Sequence, residues 1–123
     1  MERPVRPRAT RHEEPMDTTQ LLKGVLDLAV LAVLADEDAY GYDIVRRLRE
    51  AGLEDVGDAS VYGTLRRLYR SGRLSSYVVP SEEGPHRKYY SLNDLGRDHL
   101  ATGAKTWRTF TDTLGDLLEK AAA

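Results

Sequence analysis

Cysteine is absent from the 123 residues, which excludes both a disulfide framework and a thiolate metal site. Long apolar runs are missing too. The longest, Val25 to Ala35, is interrupted by Asp27 and falls short of the roughly 20 residues that a membrane-spanning helix needs. The first residues carry arginines but no apolar stretch, so neither a secretory signal nor a membrane partner is expected, and the expected location is cytoplasmic. Catalytic constellations are lacking as well. His12, His86 and His99 are scattered along the chain, and there is no Gly-x-Ser-x-Gly, phosphate loop or His-Glu-x-x-His spacing. Neither an enzyme nor a cofactor is expected. The acids Asp36-Glu37-Asp38 precede a turn and are followed by no patterned set of oxygen ligands, so no metal site is expected either.

The charge that is present is unevenly placed. Net charge is only -2, yet the stretch from Asp36 to Asp58 holds eight acids against Arg46, Arg47 and Arg49. From Ala59 to Ser81 there are Arg66, Arg67, Arg70 and Arg73 and no acid at all. One segment is therefore basic beside an acidic neighbour, a distribution that net charge conceals.

Periodicity divides the chain. Residues 1–18 mix proline with arginine and have almost no apolar content, which predicts a disordered arm. From Leu21 to Leu34 apolar residues cover most of a helical circumference, as in a helix buried on several sides. Ala39-Tyr40-Gly41-Tyr42 reads as a turn, followed by a short helix through Ile44, Val45 and Leu48 that stops at Ala51-Gly52. A third helix is predicted with Ser60 as its cap and Val61, Leu65 and Leu68 on one face, ending at Ser71-Gly72. Leu74 to Val79 and Lys88 to Leu92 then read as strands, joined by a loop rich in Gly, Pro and Glu. Asn93 can cap a last helix in which Leu100, Trp107, Leu114 and Ala121 fall seven apart.

The fold class is thus mainly α with a small β-hairpin, a winged helix-turn-helix over 19–93 plus a long C-terminal dimerisation helix over 94–123. In such a fold the third helix enters the DNA major groove. Its faces support this. At about 100° per residue, Ser60, Gly63, Arg67 and Arg70 lie opposite the apolar face, flanked by Thr64 and Arg66. Arg67 can offer a guanidinium fork to guanine or to a phosphate, while Arg70 and Arg73 are better placed for backbone phosphates. Tyr62 and Tyr69 border the core face, where a ring packs and a hydroxyl can reach a phosphate. Arg87 and Lys88 of the hairpin are expected to touch neighbouring phosphates. The seam of Leu100, Ala104, Trp107, Phe110, Thr111, Leu114, Leu117 and Leu118 asks for a partner helix, hence a homodimer. The competing reading is a winged-helix module that binds protein rather than DNA, and the arginines of the third helix weigh against it.

Leu22-Lys23-Gly24-Val25-Leu26-Asp27-Leu28, Tyr40-Gly41-Tyr42-Asp43-Ile44, Ser60 to Leu68 and Gly84 to Leu92, in order from about Gln20 to Leu118, carry a resemblance to the PadR family of transcriptional regulators in its short form with a single C-terminal helix. It implies a homodimer reading a palindromic operator in double-stranded DNA, commonly as a repressor. It also implies DNA contacts from Tyr62 and a wing role for Lys88. A small aromatic effector held near Trp107 is a further implication.

Overall fold

The computed structural model describes Leu21, Leu22 and residues 24–123. The expected arm, residues 1–18, lies outside the described residues.

Leu21 and Leu22 are helical, but the chain turns at Gly24 (φ 87°) before the first long helix, α1 (Leu26–Asp36). The single helix expected from Leu21 onward is therefore broken at its start. Helix α1 packs against α2 (Gly41–Glu50), α3 (Asp58–Arg70), the strand β3 (Arg87–Leu92) and α4 (Asp94–Ala122). Its nearly all-round apolar surface follows from that central place: Val30, Leu31 and Leu34 are buried, and Leu26, Ala29 and Val33 pack around them.

Helix α2 is half exposed and contributes Ile44, Val45 and Leu48 to the core. Its end and the end of α3 close in the same way. After α3, Gly72 takes φ 81°, the Gly72 N–H donates to the Tyr69 carbonyl at 3.0 Å, and the Arg73 N–H donates to the Leu68 carbonyl at 2.9 Å. A left-handed residue is needed there, and glycine supplies it without a Cβ penalty. The linker to α3 is held by Arg49, whose guanidinium donates to the Val56 carbonyl at 2.9 and 3.2 Å and to Asp58 at 2.8 Å. Val56 beneath it is buried. These bonds fix the angle between α2 and α3.

Ser60 does not cap α3. The helix starts two residues earlier, with Gly57 in extended conformation before it and Asp58 in its first turn, where a carboxylate favours the N-terminal dipole.

The hairpin is formed by β2 (Leu74–Val79) and β3 (Arg87–Leu92), which begins one residue before the expected Lys88. A third strand joins them. Ala39–Tyr40, expected as part of a turn, is β1, paired antiparallel with β3 through Ala39↔Tyr90 and Tyr40↔Tyr89 in the order β1-β3-β2. With β3 central, the rings of Tyr42, Tyr40, Tyr89 and Tyr77 follow one another at centroid separations of 6.3, 5.5 and 5.6 Å. The Tyr77 hydroxyl also donates to Asp38 at 2.7 Å, and this bond raises its pKa above the ordinary tyrosine value.

Helix α4 is 29 residues, about 43 Å, long. Asn93 caps it by accepting from the Gly96 N–H at 2.8 Å, and its amide donates to the Gly72 carbonyl at 2.9 Å. The cap therefore ties α4 to the turn that ends α3. Farther along, a Cβ added at Gly103 would lie 2.3 Å from Leu28 Cδ2, so the glycine lets α4 approach α1 closely. Among the described residues, no helix is long and apolar enough to cross a membrane.

Candidate nucleic-acid interface

Helix α3 is held from beneath and bare above. Val61, Leu65 and Leu68 are buried in the core, while Ser60, Arg66, Arg67 and Arg70 are exposed and Gly63 is half-buried. The expected division of faces is present, with one correction. Thr64 is only 3 % exposed, so its side chain belongs to the packed flank and offers little surface for a DNA contact.

Tyr62 is partly exposed because its ring lies across the start of α2: a Cβ added at Gly41 would meet Tyr62 Cε1 at 2.2 Å. The glycine thus makes room for the ring at the α2–α3 crossing, with the remaining edge exposed. Tyr69 stands at the other end of α3, where Lys88 Nζ lies 5.1 Å from its ring centroid and 5.5 Å from that of Tyr90. These contacts place Lys88 of the hairpin on the same side as α3.

Arg87 faces the other way. Side chains alternate across a strand, and the Arg87 guanidinium lies 4.7 Å from the Tyr40 ring centroid, among the stacked tyrosines. The structure therefore separates Arg87 from Lys88, which the sequence reading put together. Arg73 is also less available than expected: it sits in the turn after α3, half-buried, with its Nε enclosed and without a hydrogen-bond partner.

Half of the eight acids of the preceding segment, Glu37, Asp43, Glu50 and Asp58, pair with that segment's own arginines. Glu37 pairs with Arg47 at 2.6 Å, Asp43 with Arg46 and with Arg47 at 3.0 Å, and Asp58 with Arg49 at 2.8 Å. Arg66 and Arg70 make no ion pair among the described residues. The positive charge of α3 is therefore left facing outward.

Arg67 is the exception, and the sequence held no periodic signal for it. Its Nη2 donates to the carboxylate of Asp27 in the first turn of α1, 40 residues away. The two residues face a groove of about 540 Å³ between the start of α1 and the outer edge of α3, which Ser60 and Gly63 also line. The only visible hint was an acid interrupting an apolar run.

The seam on α4 divides in two. Leu100 and Ala104 are half-buried, and Leu100 packs against the domain core, so the near end of the seam is occupied within the chain. Beyond it, Trp107, Phe110, Leu114, Leu117 and Leu118 are exposed, with Thr111 half-buried among them. Trp107 and Phe110 stand side by side, with ring centroids 6.1 Å apart.

The fold is shared with other proteins. Residues 30–102 match the model of the transcriptional regulator PadR-like family. A PadR-like transcriptional regulator from Bacillus cereus is 32% identical, with 80% of this chain and 96% of that one covered and a TM-score of 0.71. A PadR family transcriptional regulator from Eggerthella lenta is 33% identical, with 83% and 88% covered and a TM-score of 0.75. An uncharacterised protein from Lysinibacillus sphaericus is 26% identical over 106 residues, 85% of this chain and 97% of that protein. With more than half of its length inside the family model and relatives of this likeness, the chain belongs to the PadR-like family of transcriptional regulators.

Proposed function

We propose that this DNA-binding transcription regulator is a homodimeric repressor. Each protomer sets α3 into the major groove of one half of a palindromic operator. The observation that carries the reading is the division of α3, packed through Val61, Leu65 and Leu68 and bare through Ser60, Arg66, Arg67 and Arg70. Tyr62 and Gly63 complete the contacting surface, and Arg70 and Lys88 take phosphates at its edge. The ion pair with Asp27 does not withhold Arg67 from a base, because it engages one guanidinium nitrogen and leaves the other donors of the plane free. A bidentate arginine–guanine contact is worth about 1–3 kcal/mol of discrimination.

The two kinds of contact separate by substitution. Arg67→Ala should weaken operator binding by about 1–3 kcal/mol and relax preference at one base pair in each half-site. Lys88→Ala should weaken all sequences alike and make the salt dependence shallower by about one unit of slope per protomer. Fluorescence-anisotropy titrations across a salt series read both effects. Equal loss of specificity from the two substitutions contradicts the placement of helix and wing.

Two copies of α4 joined along Trp107, Phe110, Leu114 and Leu118 would enclose an apolar space beside Trp107, suited to a flat aromatic effector. Such a ligand releases DNA only if it binds the free form more tightly than the DNA-bound form, and about 1–3 kcal/mol of coupling is typical. A planar aromatic ligand should then quench the single tryptophan and lower operator affinity, with the response lost in Trp107→Ala while the dimer mass is unchanged. A panel of planar aromatics that does neither would reduce Trp107 to a packing residue.

A further inference from the structure

We propose that Asp27 is a specificity-determining positioning residue that makes Arg67 a reader of bases and keeps it from acting as a general phosphate binder. The inference rests on the reading that Arg67 faces the groove, and it adds a residue from a different helix to that recognition.

The contact involves one guanidinium nitrogen only, Nη2 to Asp27 Oδ1. Arginine presents five N–H donors in one rigid plane, so the pair leaves the rest of that plane unoccupied and outward-facing. Arg67 remains 60% exposed in its side chain, while Asp27, at 33%, is the better anchored partner, standing in the first turn of α1 where the helix dipole favours a carboxylate. The anchored acid therefore sets the direction in which the mobile cation points.

Two consequences follow for DNA. A guanidinium tethered on one side cannot swing freely onto whichever phosphate is nearest, but it can still offer its free edge to the paired acceptors N7 and O6 of a guanine. The Asp27 carboxylate, placed beside the groove-facing surface, also repels the phosphate backbone of every sequence alike. The repulsion lowers affinity for every sequence, and the tether raises discrimination. A carboxylate with only a structural role would do neither.

The test uses the full chain as wild type, Asp27→Ala, Asp27→Asn, Arg67→Ala and the Asp27→Ala/Arg67→Ala double variant. Each is titrated by anisotropy against a duplex from the chain's own upstream region and against a scrambled duplex of the same length and composition. Asp27→Ala should tighten binding to the scrambled duplex about 3- to 10-fold, lower the specificity ratio about 10-fold or more, and steepen the salt slope as Arg67 moves to phosphate. Asp27→Asn, which keeps size and one acceptor oxygen but loses the charge, should show the same gain on the scrambled duplex with a smaller loss of ratio. In the Arg67→Ala background, removing Asp27 should leave the ratio within about 2-fold, because the two residues act as one unit. Thermal melting confirms that each variant folds. If Arg67→Ala lowers the ratio but both Asp27 substitutions leave ratio and slope unchanged, the proposal fails while the reading of Arg67 stands. Equal changes from Asp27→Ala in both backgrounds also overturn it. An unchanged ratio in Arg67→Ala itself would remove the reading on which the proposal rests.

Discussion

Leu114→Asp should make the proposed homodimer a monomer and lower affinity for a two-half-site duplex by about two orders of magnitude. Beyond the half-buried Leu100 and Ala104, α4 carries Trp107, Phe110, Leu114, Leu117 and Leu118 on exposed positions spaced three and four apart. A stripe of that kind on a monomer is an unpaid exposure of apolar surface, and joining two copies along a two-fold axis covers it. Leu114 lies at the middle of the stripe. An aspartate there, repeated in both protomers by symmetry, either buries two unpaired carboxylates at a cost of several kcal/mol or keeps the helices apart. Light scattering at micromolar concentration should give twice the 13.8 kDa chain mass for the wild type and the chain mass for the variant. The loss on DNA follows because the second half-site no longer benefits from effective concentration. A wild-type monomer, or a dimer that Leu114→Asp leaves intact, would place the interface elsewhere.

Gly96→Ala should destabilise the fold by about 2 kcal/mol, although alanine is the better helix former. Gly96 lies in the first turn of α4, and a Cβ there would come 2.2 Å from the Arg73 carbonyl oxygen and 2.7 Å from Leu92 Cδ1. The nearer obstacle is backbone, and that backbone is itself fixed by the 2.9 Å bond from the Arg73 N–H to the Leu68 carbonyl. Helix propensity favours alanine by about 1 kcal/mol, whereas forcing extra volume into a packed site costs typically about 1–3 kcal/mol and more where backbone must move. The clash wins. A fall in melting temperature on the order of 10 °C is expected, with the end of α3 disturbed along with the start of α4. Gly115, farther along α4, has nothing within 4 Å of an added Cβ, so Gly115→Ala should instead be neutral or stabilising by up to about 1 kcal/mol. Equal melting temperatures for the two variants would show that the junction of α3, β3 and α4 yields more easily than its geometry implies.

What the sequence made legible was whatever a local period encodes. The faces of α3 followed from the spacing of Val61, Leu65 and Leu68, the hairpin from two strand-like runs around a Gly- and Pro-rich loop, and the cap of α4 from Asn93. Features that depend on residues distant in sequence stayed hidden. Strand β1 is two residues long, too short for a period, and exists because Tyr40 meets Tyr89 across the sheet. The same alternation that defines β3 sends Lys88 toward Tyr69 and Arg87 toward Tyr40, but only the packing of the sheet says which of these faces α3. Thr64 is polar and lies beside the outward face, yet it is almost fully buried. Leu100 belongs by spacing to the seam and by contact to the core. Asp27 meets Arg67 only because α1 crosses the start of the groove beside α3, and no pattern within either helix encodes that meeting.

Hydroxyl-radical footprinting of the chain's own upstream region tests most directly whether two copies of α3 read one two-fold operator. The account predicts two protected patches related by a dyad, their centres about one helical turn apart or a multiple of it, appearing together at one protein concentration and fading together as salt rises. Protection that is uniform along the duplex, confined to a single unpaired patch, or absent at protein concentrations that saturate the DNA would contradict it.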